Sequence, residues 1–230
     1  MASRYNKMLY RLQISTVIVF LLSASHSLYS QRAAHTIQLE TTSGAMKCIL
    51  FEETPMHTEN FIKLFREGYY DGLLFHRVID GFMIQTGDPN SRNALKGQVL
   101  GQGGPAYTIP AEFHPDLYHR KGMLASARQG DQINPRKESN GSQFYIVQGK
   151  KISDAEMDAM EANGSHIKFT DEQRMVYRSV GGTPHLDYSY TVFGEVIEGL
   201  EILDKIASVP TDNRARPLED VKIISIKVLK

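Results

Sequence analysis

Cysteine is nearly absent from this chain: Cys48 is the only one in 230 residues. A disulfide within the chain is therefore excluded, and so is a cysteine-rich metal cluster. Cys48 lies in the apolar run Met46-Lys47-Cys48-Ile49-Leu50-Phe51, where its expected role is that of a small buried hydrophobe. Net charge is missing too, since 26 Lys and Arg balance 26 Asp and Glu. Such a balance offers no excess positive field for nucleic acid or an anionic membrane. Long hydrophobic runs are missing as well. The apolar stretch at 17–22 falls well short of the ~18–20 residues that a membrane span needs. Among catalytic motifs there is no Gly-x-Ser-x-Gly elbow, no phosphate loop ending in Lys-Ser/Thr and no His-Glu-x-x-His. Gly101-Gln102-Gly103-Gly104 is glycine-rich but opens no helix, and the eight histidines are scattered. Covalent hydrolysis, nucleotide binding and metal hydrolysis all lack their parts, so no metal and no other cofactor is expected.

What is present is 41% hydrophobic and 23% charged, an ordinary composition for a globular protein. The first thirty residues differ in kind. Arg4, Lys7 and Arg11 precede the apolar stretch, and small residues follow at 23–30. Basic, apolar, small is the order of a secretory signal peptide. The expectation is a signal peptide at 1–30, a domain at 31–230, and an exported, periplasmic or cell-envelope location, with an uncleaved signal anchor as the alternative. Cleavage would remove three cations and no acid, leaving a mildly acidic chain.

Beyond residue 30, apolar-rich segments at 35–41 and 45–51 flank Thr42-Ser43-Gly44 as a hairpin. Phe61, Leu64 and Phe65 recur at helical spacing between Pro55 and Gly68. Two short strands are expected around Asp80-Gly81, then mostly loop from 86 to 122. Further strands are expected at 141–147, 190–196 and 221–228, and a helix at 197–209. Between 152 and 182, Ser153-Asp154-Ala155-Glu156 and Thr170-Asp171-Glu172-Gln173 are capping boxes with Gly-containing stops beyond them. They predict two short inserted helices, with Met157–Met160 and Val176–Val180 as their apolar faces. Many short strands and few helices point to a β-sandwich or a closed barrel with helices added, and pattern alone does not choose.

The segment FHRVIDGFMIQTGDP at 75–89 places a cation and an amide among apolar residues. Strand alternation puts Phe75 with Arg77 on one side, and Met83 with Gln85 on one side of the next strand. His76 then faces the other way, as a hydrogen-bonded structural histidine. Arg77, Gln85 and Gln143, with Phe82, Met83, Phe144 and Tyr145, compose a surface suited to an uncharged peptide. It donates to carbonyls and buries an apolar ring.

The same stretch, together with GMLASAR at 122–128, NGSQFYI at 140–146 and YTVFGEV at 190–196, resembles the cyclophilin family of peptidyl-prolyl cis-trans isomerases. The resemblance runs from about residue 35 to 229. It implies a mainly β fold: a closed eight-stranded antiparallel barrel capped by two helices, here with a helical insertion at 152–182. It implies a groove on the outside of the barrel, with Arg77 as the catalytic arginine and Phe82 and Gln85 beside it. Met83, Ala127, Arg128, Gln143, Tyr145, Leu186 and Tyr190 fall on substrate-binding positions. Tyr145 stands where many members have Phe, His185 where some have Trp, and Tyr190 where many have His. The His185 departure weakens any expectation of tight cyclosporin binding, while the arginine is retained. The implied partners are proline-containing segments of unfolded or folding proteins, handled by a monomer. A non-catalytic peptide-binding scaffold is the alternative from another class.

Overall fold

The computed structural model describes residues 33–229. The expected leader at 1–30 lies outside the described residues. Strands β1 (Ala33–Thr41) and β2 (Gly44–Phe51) form the expected hairpin. The Thr41 hydroxyl closes its turn, accepting from Ser43 N–H at 3.1 Å and donating to the Gly44 carbonyl at 2.6 Å. Alternate residues Ile37, Leu39, Met46 and Cys48 point to one buried face. Helix α1 (Pro55–Arg66) begins on a proline and lays Phe61, Leu64 and Phe65 on that core. Its orphan N–H groups at Met56 and His57 donate to the Glu112 carboxylate at 3.1 and 3.0 Å, a cap supplied from a distant loop.

Strands β3 (Arg77–Ile79), β4 (Met83–Thr86), β6 (Met123–Ser126), β8 (Phe144–Val147), β9 (Val192–Glu198) and β10 (Ile223–Val228) complete one antiparallel sheet. Its order is β10-β1-β2-β9-β6-β8-β4-β3. The short β5 (Thr108–Ile109) and β7 (Ser139–Asn140) form a separate pair. The eight-stranded sheet is curled but open, which corrects the closed barrel expected above. Its edge strands β10 and β3 share no ladder. The residues just before β3 meet the start of β10 and the residues leading into it instead, through the bridge Leu74–Lys222 and bonds from Phe75 N–H to Val221 O and from Ile223 N–H to Leu73 O, both 2.9 Å. The three-residue β3 is too short to close the ladder.

Four α-helices occur among the described residues. α1 and α4 (Leu200–Ala207) pack on the main core, the latter through Leu203 and Ile206. α4 is shorter than expected because Ile197 and Glu198 complete β9. Inserted helices α2 (Asp154–Ala162) and α3 (Asp171–Ser179) carry both predicted capping boxes. They enclose a small core of Tyr118, Ile152, Met157, Phe169 and Tyr177, with Met160 packed against it. The expected α3 face is only half right. Val176 packs inward, but Val180 is exposed, and Gln173 and Tyr177 are the buried residues. Among the described residues no helix is long and apolar enough to cross a membrane.

The sheet is buried on both faces. Ile84, Phe144 and Ile146 point into the main core, whereas Met83, Tyr145 and Val147 point into a second cluster on the opposite side. Period-two alternation alone sorts these six residues. The second side carries the groove.

Candidate active site

Arg77 and Gln85 are directly paired across β3 and β4, and Gln85 pairs in turn with Tyr145 on β8. Three adjacent strands therefore present a guanidinium, an amide and a phenol in one row. Arg77 Nη1 lies 3.5 Å from Gln85 Oε1 and 3.8 Å from the Met83 sulfur, and the guanidinium carbon sits 5.7 Å from the centre of the Phe82 ring. The contacts to Gln85 and Met83 are long, so the donors of Arg77 remain available. No carboxylate among the described residues forms an ion pair with it. Burial lowers its pKa, yet guanidinium basicity keeps it a cation. A half-buried cation without a counter-ion is electrostatically costly, and it favours a carbonyl or lone pair brought to its face.

A cavity of about 130 Å³ opens here. Nine of the ten expected site residues line it: Arg77, Phe82, Met83, Gln85, Ala127, Arg128, Tyr145, Leu186 and Tyr190. Gln143 does not. It is buried one layer behind, accepting from Gln85 Nε2 at 3.0 Å and donating to the Gly103 carbonyl at 2.6 Å. Its amide thus fixes the Gln85 amide, leaving the Gln85 oxygen toward Arg77. Arg128 is also immobilised. It donates to the Ser189 carbonyl at 2.6 Å, pairs with Asp131 at 2.6 Å and lies 4.5 Å from the Tyr190 ring centre. Past Gln85, Ala127 and Arg128 the groove continues into a cleft of about 300 Å³ floored by Gly101, Gln102 and Gln143. His185 stacks on Phe82, which lines the pocket, at 5.6 Å between ring centres.

Three expectations fail locally. Phe144, expected on the peptide-binding surface, points into the main core, because it alternates with Tyr145 along β8. Phe75 and Arg77 do not share a face: Phe75 is in the main core, because β3 begins only at Arg77 and the chain before it is not pleated. His76 is buried, but neither ring nitrogen makes a hydrogen bond of ordinary geometry to protein. Burial lowers its pKa to about 4, an effect that the Asp88 carboxylate and Leu74 carbonyl only partly offset.

One group of residues had no sequence signal. Behind Tyr145 its hydroxyl meets His119 Nε2 at 3.0 Å, and His119 Nδ1 meets Asp187 Oδ1 at 2.9 Å. The other Asp187 oxygen meets His166 Nε2 at 3.0 Å and the Tyr177 hydroxyl at 2.7 Å. Burial opposes ionisation of Asp187, but the bonds from His119 and His166 outweigh it and hold its pKa below the ordinary value. Among the described residues no group of three or more His, Cys, Asp or Glu is arranged to hold a metal.

A fixed cation beside an oriented amide and an apolar ring pocket, on the outer face of a curled sheet, makes a protein that grips uncharged peptide while burying a ring. Nothing in the groove is set up as a nucleophile. The chain matches, over residues 36–228, the family described as "Cyclophilin type peptidyl-prolyl cis-trans isomerase/CLD". It is 37% identical over 195 residues to a Streptococcus pyogenes protein named as a bifunctional phosphatase/peptidyl-prolyl cis-trans isomerase, with 84% of this chain and 38% of that protein covered. It is 35% identical over 193 residues to a Staphylococcus haemolyticus protein named as a peptidyl-prolyl cis-trans isomerase, covering 84% and 90% of the two chains. A crystal structure of a Cryptosporidium parvum cyclophilin-type isomerase superposes with TM-score 0.61 at 27% identity, covering 85% of this chain and 98% of that one. The same enzyme in the presence of the dipeptide Ala-Pro gives 0.60. The chain belongs to the cyclophilin-type peptidyl-prolyl cis-trans isomerases, enzymes that accelerate rotation about the bond preceding proline.

Proposed function

We propose that Arg77 is the catalytic residue, acting with Phe82 and Gln85 in the 130 Å³ pocket, on prolyl segments of exported proteins. The observation that carries this is the Arg77 guanidinium, paired with no carboxylate among the described residues and set in a row of groove residues. Rotation about X–Pro faces a barrier of ~18–20 kcal/mol because the twisted amide loses its resonance. Twisting returns lone-pair character to the proline nitrogen, and a guanidinium beside that nitrogen stabilises the twisted form over either planar one. Only such differential binding accelerates the step. Phe82, Met83, Leu186 and Tyr145 hold the proline ring so that rotation occurs on the other side of the bond. Gln85, steadied by Gln143, anchors a peptide carbonyl. Ala127 and Arg128 run beside the chain, and Tyr190 closes the wall. A millionfold gain requires about 8 kcal/mol, more than one donor supplies, so ring burial and carbonyl anchoring share it.

The test is a prolyl-tetrapeptide isomerisation assay on Arg77→Ala. Loss of turnover in a folded variant supports the assignment, and near-wild-type turnover overturns it. The basic–apolar–small order of residues 1–30 supports export to the envelope, where uncatalysed isomerisation over tens to hundreds of seconds would delay folding. Action as a monomer belongs to the same proposal. Intact mass and sedimentation of the exported protein check both readings.

A further inference from the structure

We propose that Asp187 is a positioning residue for the proline pocket, holding Tyr145 through His119 and thereby linking the inserted helices to peptide affinity. The inference rests on the groove assignment above.

Asp187 follows Leu186, which lines the pocket, yet its own side chain points away and is wholly buried. Four donors converge on it. His119 gives its backbone N–H at 2.7 Å and Nδ1 at 2.9 Å to Oδ1; His166 and Tyr177 serve Oδ2. An ionised carboxylate accepts only, so the nitrogen of His119 facing it must carry hydrogen. Its other nitrogen, Nε2, meets the Tyr145 hydroxyl at 3.0 Å, so one imidazole joins the pocket wall to the carboxylate. With the uncharged imidazole, Tyr145 O–H donates to His119 and His119 N–H donates to Asp187. Burial raises the pKa of the Tyr145 hydroxyl, which keeps it protonated and donating.

The geometry constrains the ring as well as the hydroxyl. The His119 and Tyr145 rings lie 6.1 Å apart and 17° from parallel, and Tyr190 meets both edge-on. Tyr145 presents one side to the pocket and is tied at its far end. A phenylalanine would keep the wall but leave His119 Nε2 without its donor. Two of Asp187's four donors come from the insertion, His166 before α3 and Tyr177 on it. The His166 ring stacks on Phe169 at 3.7 Å, and Ile152 N–H and Thr183 N–H tie the segment's ends to Tyr177 O and His119 O at 3.0 and 2.8 Å. The inserted helices thus hold the carboxylate that orients the histidine that holds the pocket wall.

A wall that touches the proline ring equally in its planar and twisted states affects binding more than the rotation step. The experiment measures kcat and KM separately for a prolyl tetrapeptide with the full chain carrying Tyr145→Phe, His166→Leu, both together, and His166→Gln. The expected result is a KM raised about five- to tenfold in each single variant with kcat within about twofold. The double variant should be no worse than the worse single, because both break one chain. His166→Gln, which keeps a donor, should restore most of the affinity. Unchanged KM in Tyr145→Phe overturns the inference by itself, even if His166→Leu does not fold. Additive KM effects in the double variant also overturn it. Full turnover in Arg77→Ala would instead remove the groove assignment, so the two failures are distinguishable.

Discussion

Arg77 and Gln85 stand directly opposite each other on β3 and β4, with Arg77 Nη1 3.5 Å from Gln85 Oε1. The contact is long for a hydrogen bond and leaves the guanidinium available, while cross-strand register fixes where it stands. Arg77→Ala should therefore lower kcat/KM by at least about a hundredfold, the scale of losing one preorganised donor to a developing charge. Its partial exposure means that no core cavity opens, so the thermal midpoint should stay within a few degrees. Arg77→Lys should recover little, since an ammonium lacks the planar fork. Coupled-protease kinetics and a thermal melt on the same samples check both halves.

Gln143 acts behind the proline pocket rather than in it. Gln143→Leu removes the acceptor of Gln85 Nε2 and the donor to the Gly103 carbonyl. Gln85 is only half-buried, and the Gly103 carbonyl keeps Asn140 Nδ2 at 3.3 Å, so the cost is about 1 kcal/mol. The expected outcome is lower stability together with a raised KM, because the freed Gln85 amide no longer presents a fixed oxygen. Urea titration and steady-state kinetics measure these separately.

His76 gives the fold an acid-sensitive limb. Its folded pKa of about 4 lies below the ordinary 6.5, with Asp88 on one side and Arg77 and Arg216 on the other. Between these values the unfolded chain binds a proton that the folded chain refuses. Stability is therefore full above pH 6.5 and falls as pH drops toward 4, by at most on the order of 3 kcal/mol. Asp187 and Glu112 behave differently: their depressed pKa values stabilise the fold above their ordinary range, and that contribution is lost only as pH falls through the folded values. His166 is raised, so its contribution is present below the ordinary histidine value and is lost as pH rises through its folded pKa. Replacing His76 with a non-titrating residue should flatten the pH 6.5 to 4 limb and leave the lower one. Denaturant midpoints across pH 3–8 read this directly.

Part of the site was legible because β-structure writes a period of two into the chain, whereas the role of Arg77 and the positions of Ala127, Arg128, Leu186 and Tyr190 followed only from the cyclophilin resemblance. Met83 and Gln85 share a side as that period requires, and capping boxes marked both inserted helices. Phe75 was misplaced because alternation holds only where the backbone is pleated, and β3 starts two residues later. The buried face of α3 was missed because Gln173 ranks as polar. Its oxygen caps the helix by accepting from Thr170 N–H at 2.9 Å, while its residue is buried beside Tyr177. The Asp187 hub joins positions 119, 145, 166, 177 and 187, drawn from separate loops and elements. No spacing announces it, although Tyr145 in place of the family's frequent Phe marked one end. Closure of the sheet depended on the length of a three-residue edge strand, a feature that hydrophobic pattern does not record.

Gly87, directly after β4, tests how tightly the groove's rear wall is built. Its φ of +91° lies where L side chains are strained, and a Cβ there would overlap the Ser142 carbonyl oxygen and come within 2.8 Å of the Gln143 Cα. Both obstacles are backbone, so no side chain can swing aside. The Gly87 carbonyl also accepts from the Ser142 hydroxyl at 2.8 Å, which ties the two segments from the other direction. Gly87→Ala must push β8 away from β4 at the point where Gln143 leaves to hold Gln85. Gly81 is the control: its φ is also positive, +72°, but a Cβ would meet nothing within 4 Å. Gly81→Ala should cost about 1–2 kcal/mol from backbone strain alone, with KM unchanged. Gly87→Ala should cost about 3–5 kcal/mol and raise KM in the fraction that still folds. Equal losses at the two glycines, measured by urea unfolding, would show that strain dominates and that the approach of Gly87 to Ser142 contributes nothing to the site.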